Sequence, residues 1–208
     1  MLILPSIASA NQADLKGEIA KLGNHPYLHF DIEDGNFVPN ITFGMKTVKA
    51  LRPLTAANFD AHLMVTDPMD YIPALLKLNF KAIAFHWESV GYPMIAINAI
   101  RDGGAKAGIA LNPRTSADTI LDYLSVADYV LVMTSEPDGH GDCFQPNVIA
   151  KIKRLHDAAP DLPIVADGGI YDQLLPLVRD AGVNITVMGR AVFSAEEPLR
   201  AIEKYSHI

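Results

Sequence analysis

The feature that most constrains this chain is a regular alternation between short apolar runs and amphipathic stretches. Eight apolar runs recur at nearly even spacing, at residues 2–6, 27–32, 59–64, 82–86, 105–111, 129–133, 163–167 and 185–188. Segments between them carry apolar residues at helical spacing. An open doubly wound sheet and a closed barrel both accommodate this alternation. The even spacing favours the barrel, so we predict an α/β fold, a single-domain (β/α)8 TIM barrel over residues 1–208.

Residues typical of helix ends support this reading. Asp67 before Pro68 is typical of a helix N-terminus, and Thr115 three residues before Asp118 predicts a second N-cap. Gly182 stands where a helix should end before the last strand. We also expect a helix to start near residue 45.

Histidines and aspartates stand at the carboxyl ends of several predicted strands. His29 and Asp31 are one residue apart, so their side chains share one face of their strand. His62, His86 and Asp167 occupy similar positions in later strands. Because active sites of TIM barrels form at these strand ends, we expect the side chains to converge. Two histidines and two aspartates from this set predict a metal site with proton chemistry, and zinc, iron, manganese and cobalt all accept such ligands.

Composition disfavours several classes of partner. The formal net charge of −7 and the pI near 5.4 argue against nucleic acid and anionic membranes. Cys143 is the only cysteine, which excludes an intrachain disulfide and fits a reducing compartment. No apolar run approaches the ~20 residues that span a bilayer, and residues 1–4 are too short for a signal peptide. We therefore expect a cytoplasmic protein with a small-molecule partner.

Glycine-containing turns follow the last two predicted strands. Gly168 and Gly169 come directly after Asp167, and Gly189 precedes Arg190. In TIM barrels the corresponding loops often hold a phosphate through backbone N–H groups, and glycine permits close approach. These turns predict a phosphate site, although tight turns without a ligand share the pattern.

Two other features near the strand ends have more than one interpretation. The segment Asp-Gly-His-Gly at 138–141 lacks the third glycine of a dinucleotide fingerprint and the lysine of a P-loop, so it is a weak signal for anion binding. Met64 and Met133 are either core residues or a soft apolar floor of the site.

Five motifs occur in order along the chain: PSIASA at 5–10, HFD at 29–31, DGNFVPNITFG at 34–44, HLM at 62–64 and DGGI at 167–170. Together they resemble the ribulose-phosphate 3-epimerase family. The resemblance implies a barrel of the ribulose-phosphate-binding type and one divalent metal per chain, usually zinc. It implies interconversion of D-ribulose 5-phosphate and D-xylulose 5-phosphate, and a homo-oligomer that is a dimer or a hexamer.

The resemblance also assigns roles to residues. It implies that the metal ligands are His29, Asp31, His62 and Asp167, with Asp31 and Asp167 doubling as the acid/base pair. Together with the glycine turns and the neighbouring loop, it leads us to expect substrate contacts at Ser6, His62, Gly139, Gly141, Gly168, Gly169, Gly189 and Arg190.

The chain departs from the family pattern at three places. Glu33 replaces a methionine, which puts a carboxylate in an expected apolar wall. The loop at 136–142 keeps only Pro137 and Gly141 of the family's glycine-rich loop. Arg190 replaces a small residue, and we expect it to bind the phosphate in a bidentate manner. The alternative is that Arg190 pairs with Asp138, Asp142 or Glu196.

Three functional hypotheses follow. The first is epimerisation of a ketose phosphate through an enediolate, because inversion next to a carbonyl requires acid/base groups on opposite faces. Its substrate is ribulose 5-phosphate or a different sugar phosphate such as a hexulose. The second is a decarboxylase or aldol-type synthase, which is disfavoured because residues 29–36 contain no lysine. The third is a non-catalytic, regulatory barrel that binds metal.

Overall fold

The computed structural model describes residues 1–137 and 143–208. The described residues form eight strands: β1 (Leu2–Pro5), β2 (Tyr27–Glu33), β3 (Asn58–Met64), β4 (Ala82–His86), β5 (Lys106–Leu111), β6 (Tyr129–Met133), β7 (Ile164–Asp167) and β8 (Ile185–Met188). All pair in parallel, in the order β1-β8-β7-β6-β5-β4-β3-β2. A parallel bridge between Ser6 and His29 brings β1 next to β2, so the sheet curls into a nearly closed barrel. The predicted (β/α)8 fold is confirmed.

Helices connect the strands within the described ranges. The α-helices are α1 (Leu15–Lys21), α2 (Met45–Leu51), α3 (Ile72–Lys77), α4 (Pro93–Asp102), α5 (Val148–Ala158), α6 (Leu175–Asp180), α7 (Arg190–Phe193) and α8 (Pro198–Ser206). Short 3-10 helices cover Ile7–Ser9, Arg52–Leu54, Pro68–Asp70, Trp87–Ser89, Ala117–Tyr123 and Asp172–Leu174. The connection between β5 and β6 is therefore 3-10 helical rather than α-helical. No helix of the described residues is long and apolar enough to cross a membrane.

The predicted helix ends are mostly confirmed. Asp67 caps its helix by accepting a hydrogen bond from the Met69 N–H. The cap predicted at Thr115 is wrong, because Ser116 is the residue that accepts from the Asp118 N–H. The Thr115 hydroxyl instead donates to Glu88, which lies after β4.

Alternation along each strand separates an outer apolar layer from an inner face. In β2, Leu28, Phe30 and Ile32 are at most 1 % exposed and belong to the core between strands and helices. His29 and Asp31 point the other way, into the barrel. A smaller apolar cluster, which includes Tyr129, Leu131 and Val165, fills the rest of the interior.

The register between strands sets the height of the polar side chains. Asp31 is level with His62 across β2 and β3, and Met133 is level with Asp167 across β6 and β7. Polar residues from distant parts of the sequence therefore meet in one layer at the carboxyl ends of the strands.

Candidate active site

Four side chains converge inside the barrel at the carboxyl ends of β2, β3 and β7. They are His29, Asp31, His62 and Asp167, and one potential ligand atom from each lies within 4.8 Å of the others. His29 Nε2 is 3.2 Å from Asp31 Oδ1 and 3.6 Å from Asp167 Oδ2. His62 Nδ1 is 3.4 Å from Asp31 Oδ1 and 3.1 Å from Asp167 Oδ2. Each imidazole thus faces both carboxylates.

These separations fit a metal centre. A tetrahedral site with metal–ligand distances of ~2.0–2.2 Å has ligand–ligand separations of about 3.3–3.6 Å, close to the four observed distances. All four residues are at most 9 % exposed. Because two buried carboxylates need positive charge nearby, this donor set can hold a divalent cation. The predicted convergence of the four residues is therefore observed.

The pKa values in the cluster reflect the same charge imbalance. Burial lowers the pKa of His29, but the charges of Asp60 and Asp31 outweigh it and raise that pKa well above its usual value. Burial also lowers the pKa of His62, while its hydrogen bonds with Asp167 and Asp31 raise it overall. The pKa of Asp31 lies well below its usual value, because His29 outweighs the effect of burial. Asp31 is therefore a carboxylate.

Further side chains form hydrogen bonds with the cluster. Asp60 Oδ2 accepts a hydrogen bond from His29 Nδ1. The Ser6 hydroxyl donates to Asp31 Oδ2 at 2.5 Å. On the other side, His62 Nε2 is 2.8 Å from His86 Nε2. Burial lowers the pKa of His86 to about 4, so this ring is neutral near neutral pH.

Sequence reasoning did not assign these supporting roles to Asp60 or His86. For Asp60 the sequence does contain an indication of this role. Asp60 is two residues from His62 in β3 and therefore points to the same face. His86 was recognised at a strand end, but only the fold places it against His62 rather than in the cluster.

A cavity opens above the cluster at the carboxyl ends of the strands. Nine of the predicted site residues line it: Ser6, Asp31, Met64, Met133, Asp167, Gly168, Gly169, Gly189 and Arg190. His29 and His62 lie beneath it and are at most 1 % exposed. Gly139 and Gly141, predicted as substrate contacts, lie outside the described residues. Met64 and Met133 line the cavity, and their role as an apolar floor stays a prediction.

Tight packing explains two glycines in the cavity wall. Gly168 has φ +110°, and a Cβ at this position would lie 2.3 Å from the Ser135 hydroxyl oxygen. A Cβ at Gly189 would lie 2.2 Å from the Ser9 hydroxyl oxygen. At both turns, glycine lets the backbone approach its neighbours more closely than any other residue would.

The carboxyl group of Glu33 also lies in the cavity wall, close to Asp31. Glu33 ends β2, and its Oε2 accepts a hydrogen bond from Asn40 Nδ2 at 2.6 Å. Burial and then the charge of Asp31 raise the pKa of Glu33 to about 7. Asn40 and Thr42 also line this wall, and sequence reasoning had assigned neither residue to the site.

Known proteins resemble this chain over nearly its whole length. The sequence profile of the Ribulose-phosphate 3 epimerase family matches residues 2–193. The chain belongs to this family. It is 38% identical to the ribulose-phosphate 3-epimerase of Bacillus subtilis, over 97% of this chain and 96% of the relative. It is 36% identical to the enzyme of that name in Schizosaccharomyces pombe, over 96% and 90% of the two chains.

Solved structures of more distant sequence share the fold. Orotidine 5'-phosphate decarboxylase from Pyrococcus horikoshii superposes with a TM-score of 0.66 at 13% identity, covering 99% of this chain and 97% of that one. Thiamine phosphate pyrophosphorylase from Pyrococcus furiosus gives 0.65 at 17% identity, over 99% and 93%. At such identities the likeness concerns the barrel alone.

Proposed function

We propose that this protein is a metal-dependent isomerase that inverts the carbon next to the carbonyl group of a ketose phosphate. Its first expected substrates are D-ribulose 5-phosphate and D-xylulose 5-phosphate, in keeping with its family. One observation carries the proposal: Asp31 and Asp167 reach a single centre from β2 and β7, and both line the cavity. Two carboxylates that approach from different strands suit a reaction that moves protons on two faces of a substrate.

The proposed reaction assigns one proton transfer to each carboxylate. Asp31, held as a carboxylate, accepts the proton of the C3–H bond, and the bonding electrons shift toward the carbonyl oxygen. Asp167, which enters this direction of the reaction protonated, then donates its proton to the opposite face of C3 as the carbonyl reforms. In the reverse direction the two residues exchange roles. The hydrogen bond from Ser6 to Asp31 Oδ2 holds this carboxylate in place.

We propose that His29, Asp31, His62 and Asp167 hold one divalent cation, with zinc as the first expectation and iron, manganese or cobalt as alternatives. When bound, the cation supplies positive charge beside the substrate oxygens on which negative charge develops.

The phosphate of the substrate is proposed to bind at the turns after β7 and β8. Gly168 and Gly169 expose backbone groups there, and Gly189 precedes Arg190 on the same side of the cavity. Arg190 adds a positively charged group for the dianion.

Metal analysis with one variant tests the proposal. Purified protein should contain about one divalent metal per chain, and His62→Ala should lose metal and epimerase activity together. His207→Ala, which changes an exposed histidine near the end of α8, serves as the control. Full metal occupancy in His62→Ala would contradict the ligand assignment. Exchange of the substrate proton in heavy water would separate an epimerase from a non-catalytic barrel.

A different ketose phosphate, such as a hexulose phosphate, is the second candidate substrate. It is favoured by the polar pair Glu33–Asn40 in the cavity wall, which offers hydrogen-bonding groups to a substrate. A screen of ketose phosphates for epimerisation would decide between the candidates. We further propose a cytoplasmic homo-oligomer, a dimer or a hexamer, which light scattering and cell fractionation would test.

A further inference from the structure

The inner edge of the His62 ring contacts a second buried imidazole. Whereas His62 Nδ1 faces the two carboxylates, its Nε2 lies 2.8 Å from His86 Nε2. His86 is 0% exposed, and its ring lies within 26° of parallel to that of His62, with 4.9 Å between centroids. The ring of Phe37 covers His86 as well, at 4.8 Å. His86 therefore has little freedom to rotate.

The other nitrogen of His86 is held by a fixed carboxylate. His86 Nδ1 is 3.1 Å from Oε2 of Glu88, in the 3-10 helix that follows β4. Glu88 Oε1 accepts hydrogen bonds from the Asn112 N–H at 2.8 Å and from the Thr115 hydroxyl. Because both oxygens have partners, the loop after β5 fixes the orientation of Glu88.

With a cation at His62, the contacts fix which atom donates in each hydrogen bond of the series His62–His86–Glu88. If His62 Nδ1 offers its lone pair to a cation, its proton is on Nε2 and is donated to His86 Nε2. His86 must then carry its own proton on Nδ1, where Glu88 accepts it. Hydrogen bonds behind a metal-bound histidine commonly fix its tautomer and ring orientation.

We propose that His86 and Glu88 are positioning residues for the proposed metal centre. They hold His62 in the tautomer and orientation that present Nδ1 to the cation, and so increase metal affinity. His29 has a shorter version of this arrangement, because Asp60 contacts its Nδ1 directly. The inference rests on the proposed function, since it concerns the same metal.

The competing explanation is that His86 only fills space between His62 and Phe37. A leucine would also fill much of this space, but it can neither accept a proton from His62 nor donate one to Glu88. Packing alone would therefore affect the stability of the metal-free protein, whereas positioning affects metal affinity. The two explanations differ in a quantity that can be measured without an activity assay.

The test is the dissociation constant of zinc, measured on the whole protein by competition with a chelator. His86→Leu should bind zinc about 10–100-fold more weakly, the range for losing such a partner. His86→Gln should lose less, because its amide can both accept from His62 and donate to Glu88. His25→Leu is the matched control, because His25 bonds to the Ile3 carbonyl away from the cluster and should leave the affinity unchanged.

An unchanged zinc affinity in His86→Leu, with metal lost in His62→Ala, would overturn the inference. If His86→Leu does not fold, Glu88→Ala decides, because the Glu88 side chain is 22% exposed and lies outside the apolar core. Unchanged affinity in that variant would likewise overturn the inference, and about tenfold weaker binding would support it. A wild-type protein that binds no divalent metal would instead refute the proposed function itself.

Discussion

The carboxyl group of Glu33 should make the stability of the metal-free protein depend on pH. Its pKa is about 7 in the folded protein, against 4.5 for an ordinary glutamate, because of burial and the charge of Asp31. At pH values between about 4.5 and about 7, Glu33 is ionised in the unfolded chain but still protonated in the folded protein. The free energy of unfolding should therefore fall as pH rises from about 4.5 to about 7, and level off above that.

The magnitude follows from the size of the shift. An interval of ~2.5 pH units at ~1.36 kcal/mol per unit corresponds to ~3.4 kcal/mol. The Glu33 side chain is only partly buried, and solvent screens its charge. We therefore expect about 1–2 kcal/mol. Glutamine cannot ionise, so Glu33→Gln should lack this contribution and gain stability relative to the wild type as pH rises.

Urea unfolding in the presence of a chelator would measure the effect at several pH values from about 4.5 to about 8. The chelator is needed because a cation beside Asp31 would lower the pKa of Glu33. Glu203→Gln, at an exposed position of α8, controls for the loss of one surface charge. The difference between Glu33→Gln and wild type should grow by about 1–2 kcal/mol across this range. A difference that does not change with pH would refute the reasoning.

Three other predictions concern the cavity. Arg190→Ala should weaken binding of a phosphorylated ketose by about 1.5–3 kcal/mol without changing metal content, and an unchanged Michaelis constant would assign Arg190 to structure. Asp31→Asn and Asp167→Asn should each abolish epimerisation, although one variant can retain exchange of the substrate proton for a single epimer in heavy water. Near-normal turnover in both variants would contradict the two-carboxylate mechanism. Gly168→Ala should lower the free energy of unfolding by about 1–3 kcal/mol, because φ is +110° and the new Cβ would lie 2.3 Å from the Ser135 hydroxyl oxygen. Urea unfolding would measure this loss, and unchanged stability would mean that the turn adapts.

The fold and the four-residue cluster could be predicted because both depend on local periodicity. Alternation within β2 places His29 and Asp31 on one face, and parallel strands bring their carboxyl ends to one edge. His62 and Asp167 lie at the same edge, so their convergence with this pair could be predicted without knowing the structure of the loops. The strand ends predicted from apolar runs differ from the observed ones by only one residue, as in β2, which extends to Glu33.

The supporting contacts could not be predicted in the same way, because they depend on register and on loop geometry. Alternation gives the face of a side chain but not its height, so His86 could not be distinguished from the cluster residues below the cavity. The contact of Thr115 with Glu88 joins two loops 27 residues apart, and no local pattern indicates it. The local sequence pattern predicted that Thr115 caps a helix, but Ser116 is the capping residue.

The shared contacts within the cluster would link the proposed metal binding to the proposed proton transfer. His29 and His62 each contact both carboxylates, so removing either imidazole leaves Asp31 and Asp167 less restrained as well as depriving a cation of one ligand. Loss of activity in a histidine variant therefore cannot separate these effects, and metal content must be measured alongside it. The raised pKa values of both imidazoles point to the same link, because the carboxylates stabilise protons there when no cation does. A bound cation would replace those protons and leave both imidazoles neutral.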